Sequence, residues 1–209
     1  PHPLFHFGMT GAFRLRGEAP LELESRIGIG DTTWPPRFAK IHLWLEDGGE
    51  IVMPKARRRG GIRLRGSPPD EPPLADLGCD PLLALPSRAE FVRRAKRRKI
   101  PIKALLLDQG FAAGVGNWLA DEILYQSKID PRRIVASLDE VELARLRSVM
   151  RRVVKRAVAV GADKDRFPKS WLFHHRWGKQ AGARTARGEA IEHLELGGRT
   201  TAWVPSVQR

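Results

Sequence analysis

Asn117 stands where a glycine-permitted turn, Gly114-Val-Gly, runs into the start of a helical stretch. An amide side chain there, beside the free backbone amides and positive dipole end of a helix N-terminus, suits a phosphate group. The same position also suits plain helix capping, for which asparagine is a preferred residue. Arg199 follows the Gly197-Gly198 turn at the tip of a terminal hairpin. An exposed turn arginine is either simply solvated or a phosphate contact, and the glycines before it allow close backbone approach. The chemistry these residues offer is the gripping of a polyanion.

The charge points the same way. The 209 residues carry 37 Lys+Arg against 24 Asp+Glu, a formal +13 with a pI near 10.8. Residues 1–86 hold 11 basic and 11 acidic side chains, residues 87–178 hold 21 against 10, and residues 179–209 hold 5 against 3. A field that steers a polyanion has to be concentrated, so the middle third is the candidate binder. Nucleic acid leads an acidic protein or a membrane surface as its partner. The 42% hydrophobic content supports a real core and argues against disorder. No apolar run approaches the roughly 20 residues of a membrane span, and no charged-then-apolar leader opens the chain. Cys79 is the only cysteine, which forbids an internal disulfide and any zinc site built on two or four cysteines. The expectation is a basic, soluble, intracellular protein.

The elements that position these groups are legible in outline. Phe38-Ala-Lys-Ile-His-Leu-Trp-Leu alternates as a strand, Asp47-Gly-Gly signals a hairpin turn, and Glu50-Ile-Val-Met resumes the pattern until Arg63-Leu-Arg ends it. Six prolines between 67 and 86 suit an extended linker. Ser87-Arg-Ala-Glu90 and Ser137-Leu-Asp-Glu140 fit capping boxes that open helices. After the second, Val141, Leu143, Leu146, Val149, Met150, Val153, Val154, Ala157 and Val158 recur at the period of one helical face. A helix from about Trp118 to Gln126 lies between the boxes, giving the order helix, turn, helix, turn, helix. Beyond the aromatic run Trp171 to Trp177, Ile191 to Leu196 and Thr200 to Val204 form the closing hairpin.

Three stretches go further. Leu106-Leu-Asp-Gln-Gly-Phe-Ala-Ala-Gly-Val-Gly-Asn-Trp-Leu-Ala-Asp-Glu-Ile-Leu-Tyr125 resembles the helix–two-turns–helix region of the formamidopyrimidine-DNA glycosylase/endonuclease VIII family. His6-Phe-Gly-Met-Thr-Gly11 resembles that family's His-Leu-Gly-Met-Ser/Thr-Gly strand. Gly197-Gly-Arg-Thr-Thr-Ala-Trp-Val-Pro205 is similar to the terminal hairpin of its plant and fungal branch, the metal-free "zincless finger". The resemblance implies an α+β fold in which residues 1–66 are the remainder of an N-terminal β-sandwich catalytic domain. Residues 67–86 are then the linker, 87–178 the DNA-binding helical domain and 179–209 the finger.

By the same resemblance Lys103, Asn117 and Arg199 are phosphate ligands. Met9 and Arg57 are then the side chains that fill the void left by a flipped nucleotide, with His6 near the lesion. Taken alone, Met9 and His6 also read as packed strand residues, and Lys103 as a solvated lysine. The family's intercalating aromatic position is Arg59 here, a departure from the pattern.

The family's nucleophile is an N-terminal proline amine followed by glutamate. Pro1 is followed by His2, and the His-Phe-Gly-Met strand begins only at His6. Pro1 is therefore not the counterpart, and the chain reads as lacking the segment that carries the proline, the glutamate and an early lysine. The implied function is base-excision repair of oxidised purines of the formamidopyrimidine type. N-glycosylase and AP lyase activity would belong to the full-length protein, and this chain alone would bind without cutting. The alternative is a non-catalytic module for damaged or abasic DNA. Either way the expected partner is double-stranded DNA with oxidised bases or abasic sites, with no cofactor, metal or membrane. The protein is expected to be a monomer, nuclear if eukaryotic.

Overall fold

A computed structural model describes residues 1–8, 12–18, 33–54, 61–178 and 182–209, and in it the alternating stretches become short antiparallel strands. These are β1 (His2–His6), β2 (Arg14–Leu15), β3 (Ala39–Trp44), β4 (Glu50–Pro54) and β5 (Gly61–Arg65). β1 pairs with β5 and β4 lies between β2 and β3. The β3–β4 hairpin closes as expected at Asp47, whose carboxylate accepts the Gly49 amide at 2.9 Å. Phe13 sits edge-on to Phe5 and Phe7, with ring centroids 4.9 Å apart in each case, which ties the two small sheets together. Glu50 is the polar centre of this region. It accepts from the Trp34 indole at 2.9 Å, from Arg16, and from His42 at 2.7 Å. The indole and guanidinium bonds hold its carboxyl down at about 2. Val52 and Met53 are buried here, while Leu15, Phe38, Leu43, Trp44, Ile62 and Leu64 are exposed.

The chain divides into two units, Pro1–Ala75 and Asp76–Arg209, and the division falls inside the proline-rich stretch. The second unit holds α1 (Arg88–Lys96), α2 (Ile102–Leu107), α3 (Asn117–Ser127) and α4 (Glu140–Ala159), followed by β6 (Glu192–Leu196) and β7 (Arg199–Trp203). The short α2 is absent from the sequence reading. Its six residues are too few to display a period, and Pro101 opens it without a side-chain cap. Leu143, Leu146, Val149, Met150, Val153 and Ala157 of α4 are buried as their period demands, but Val141 and Val158 at its ends stay exposed. The six buried α4 side chains pack with Phe91, Ile102, Leu105, Leu106, Ile123 and Leu124 in one core, and a smaller core of Tyr125, Leu172, Ile191, Ala202 and Val204 lies beneath the hairpin. Among the described residues no helix is long and apolar enough to cross a membrane.

Ser87 caps α1 through the Glu90 amide as expected. The box that opens α4 is shifted by two residues. Asp139 accepts the Glu142 amide at 2.7 Å and Glu142 accepts the Asp139 amide at 2.8 Å, while Ser137 Oγ donates instead to Ile134 O at 2.8 Å. Two overlapping patterns compete here, and the carboxylate, which favours the positive helix start, takes the cap. Asp139→Ala is therefore expected to lower stability by about 1 kcal/mol in urea unfolding, with Ser137→Ala nearly neutral. Equal losses from the two would refute the shift.

Candidate nucleic-acid interface

The turn ahead of Asn117 is shaped by side chains rather than by regular structure. Asp108 accepts the Gly110 amide at 2.9 Å. The Gln109 amide spans the turn, donating to Leu107 O and Val115 O at 3.2 and 3.1 Å and accepting from Gly114 N at 2.8 Å. Residues 78–79 clasp it from outside, with Gly78 N on Gln109 O at 2.8 Å and Ala113 N on Cys79 O at 2.9 Å. A Cβ at Gly78 would lie 2.4 Å from the Phe111 carbonyl carbon, so glycine alone permits this approach.

α3 thus begins at a fixed place, and Gly116 is its cap residue, with no side chain capping the first amides. Asn117 does not cap its own helix. Its Nδ2 donates to Thr200 O at 2.9 Å, and its Oδ1 is buried without a partner. An amide nitrogen carries two hydrogens, and the bond to Thr200 uses one of them. The bond to Thr200 also brings the neighbouring Arg199 to this end of α3. Gly197 and Gly198, with φ of +58° and +68°, make the two-residue turn that exposes Arg199 as the first residue of β7.

Lys103 is placed differently from expectation. It is fully buried, with its Nζ on Asp121 Oδ1, so it offers no ammonium to solvent. Burial pushes it below the ordinary lysine range, and Asp121 pulls the other way. The partner lies 18 residues along the chain, which no local pattern reveals. Asp121 Oδ2 accepts Arg176 Nη2 at 2.6 Å, Arg176 Nε at 3.1 Å and the Ala202 amide at 3.1 Å. One carboxylate therefore joins α2, α3, the segment before residue 177 and β7.

Its neighbour Glu122 is also fully buried. Glu122 accepts from Gln126 Nε2 at 2.7 Å and from the Phe173 amide at 2.9 Å, and desolvation outweighs both, raising its carboxyl to about 7. Asp121, Glu122 and Arg176 are absent from the sequence reading. The available signal was two adjacent acids inside the apolar run from Trp118 to Tyr125. Charges are seldom fully buried unless paired.

Among the sequence candidates, the structure brings Asn117 and Arg199 together. His6 is exposed at the end of β1, opposite Gly61, and belongs to the other unit. Met9, Arg57 and Arg59 lie outside the described residues. Among the described residues no cluster of three or more His, Cys, Asp or Glu could hold a metal ion.

Asp121→Ala leaves Lys103 and Arg176 buried without their counter-charge, and about 3–5 kcal/mol of stability is expected to go. Glu122 has the opposite sign to a salt-bridged acid. Its folded value lies above the ordinary 4.5, so the native state holds the proton more tightly than the unfolded chain does. Its contribution is full below pH 4.5 and is lost as pH rises through about 7. Unfolding free energies across that window should fall by a few kcal/mol, at about 1.4 per pK unit, and Glu122→Gln should flatten the decline. An equal slope in wild type and variant would rule Glu122 out as its source.

Comparison with known proteins locates this arrangement. Residues 77–169 match the family described as the Formamidopyrimidine-DNA glycosylase H2TH domain. A formamidopyrimidine-DNA glycosylase of Arabidopsis thaliana is 38% identical over 209 residues, covering all of this chain and 53% of that protein. One from Thermus thermophilus is 33% identical, covering 97% of this chain and 73% of that protein. The chain spans about half the length of the first curated relatives it matches, 53% and 55%. The crystal structure of the MutM (Fpg) protein of Thermus thermophilus superposes with a TM-score of 0.73 at 32% identity, covering 99% of this chain and 75% of the other. Lactococcus lactis Fpg, non-covalently bound to DNA containing an AP site, shares the fold with a TM-score of 0.75 at 22% identity, covering 99% and 74% of the two chains.

Proposed function

Because the chain belongs to the formamidopyrimidine-DNA glycosylase family, we propose that it binds damaged duplex DNA through the Asn117–Arg199 edge of its second unit. We propose further that the whole protein uses this grip in base-excision repair of formamidopyrimidine-type purines, as a DNA N-glycosylase and AP lyase. The observation that carries the reading is the bond from Asn117 Nδ2 to Thr200 O. It sets an amide side chain, an uncapped helix start and an exposed guanidinium side by side, which are three kinds of group that hold phosphates. In this reading the β6–β7 hairpin is the zincless finger, and Arg199 is the group it carries to the backbone. Lys103 serves from inside, by holding Asp121, rather than by touching a phosphate.

The relatives' names supply the reaction class, and the Lactococcus lactis complex supplies a partner for that protein, abasic-site DNA. For this chain both are inferences. Residues 1–66 are proposed as the part of the catalytic domain present here, with Met9 and Arg57 in the void-filling role and His6 near the lesion. A repair role implies an intracellular protein, nuclear in a eukaryote.

Binding to an abasic-site duplex at several salt concentrations tests the grip. Arg199→Ala is expected to weaken binding about tenfold or more and to lower the slope of log affinity against log salt by about one. Asn117→Ala is neutral, so it should weaken binding with the slope unchanged. Affinity indifferent to both substitutions would overturn the proposal. Borohydride trapping of the whole protein on the same duplex tests the chemistry. A covalent adduct is expected, and a binding module without catalysis would give none.

A further inference from the structure

The far end of α3 carries a second concentration of cations that the proposed grip does not use. Lys128 follows α3, Arg152 lies on α4 and Arg187 belongs to the loop before β6; all three line a cavity of about 240 Å³ together with Tyr125, Ser170 and Trp171. α3 is 11 residues long, which at 1.5 Å per residue puts this cavity about 15 Å from Asn117.

Three features make it a built site rather than a chance gathering of charge. Among the described residues none of the three cations has an ion-pair partner, and no carboxylate lines the cavity. Two carboxylates adjoin the lining, and among the described residues neither forms an ion pair with a lining cation. Glu189 accepts from Tyr125 at 2.9 Å and Thr185 at 2.8 Å, and Glu122 accepts from Gln126 and the Phe173 amide. Arg152 is also aimed. Its Nη2 donates to Gln126 Oε1 at 3.0 Å, and the Gln126 amide is itself oriented by its bond to the buried Glu122. Three exposed cations thus line one cavity with no counter-charge in its lining, an arrangement that favours a bound anion. Two guanidiniums and an ammonium, with the Ser170 hydroxyl beside them, match a phosphate group.

We propose that this cavity is a second phosphate site, separate from the Asn117–Arg199 edge. The phosphate has two possible sources, a free phosphate or mononucleotide, or the backbone of a nucleic-acid strand reaching around α3. The proposal does not depend on the repair reading, because its ligand chemistry comes from these side chains alone.

The full chain can be followed by NMR through the Arg152 and Arg187 Nε–H signals and the Trp171 indole. The background is Asn117→Ala/Arg199→Ala, which removes both side chains of the first edge, so that a response at these signals reports the cavity. Inorganic phosphate is expected to shift these signals to saturation with a Kd of order 1 mM. The double variant Arg152→Gln/Arg187→Gln, both exposed positions, should lose the Trp171 response while keeping the remaining spectrum. Lys128→Gly should weaken the response without disturbing the fold, since φ there is +58°, a conformation glycine adopts freely. Thymidine 5′-monophosphate binding at least tenfold more tightly than inorganic phosphate identifies the free source. Duplex DNA moving the same signals, with a salt slope smaller by about two in the double variant, identifies the strand. Either result supports the site. If neither phosphate nor duplex shifts Arg152 and Arg187, or if the double variant retains the Trp171 response, the proposal fails.

Discussion

The second unit depends on one carboxylate. Asp121 sits wholly inside the protein and has to be satisfied by what surrounds it, and its four acceptor bonds come from Lys103, Arg176 and the backbone of β7. A buried ion pair contributes little net stability, because removing the charges from water costs about what their attraction returns. What it enforces is arrangement. A conformation that moves α2, the 172–176 segment or the hairpin away from α3 strands a charge in the core. Arg176 also lies over the Trp177 ring at 4.6 Å, so even its own position is fixed from two sides.

This constraint also sets the geometry of the proposed binding edge, in which a hairpin lies against a helix. β7 is bonded to α3 twice, through Asn117 at Thr200 and through Asp121 at Ala202, alternate residues of the strand. Arg132 adds a third restraint, with its guanidinium 4.3 Å from the centre of the Trp203 ring. The hairpin and the start of α3 are thus held together at one corner by these contacts. That is what a phosphate contact needs if the position of the gripping groups is to be set before the ligand arrives.

Much of this was legible in the residues, and the misses share a cause. The period of α4, the glycine turn before β7 and the turn leading to Asn117 are local patterns, and each survives in the structure because tertiary packing agrees with it. In the sequence Lys103 reads as exposed, as the phosphate ligand that the resemblance implies or as a solvated lysine, because its partner lies elsewhere in the chain and burial cannot be seen in spacing. Asp121 and Arg176 escaped for the same reason. The α4 cap was misplaced because Ser137 and Asp139 present overlapping patterns, and only the geometry of Ile134 shows which one is free to cap. α2 is too short to carry a pattern at all.

The first unit stands in contrast. Among the described residues its two sheets are small, β1 and β5 form a two-stranded sheet, and apolar side chains such as Trp44 and Leu64 are 71% and 62% exposed. Two-stranded pairings are marginal in water, and amide groups escape exchange only as long as the structure around them stays closed. The two halves of the chain therefore keep different clocks. Backbone hydrogens around Val52 and Met53 should trade with deuterium well before those of α3 and α4.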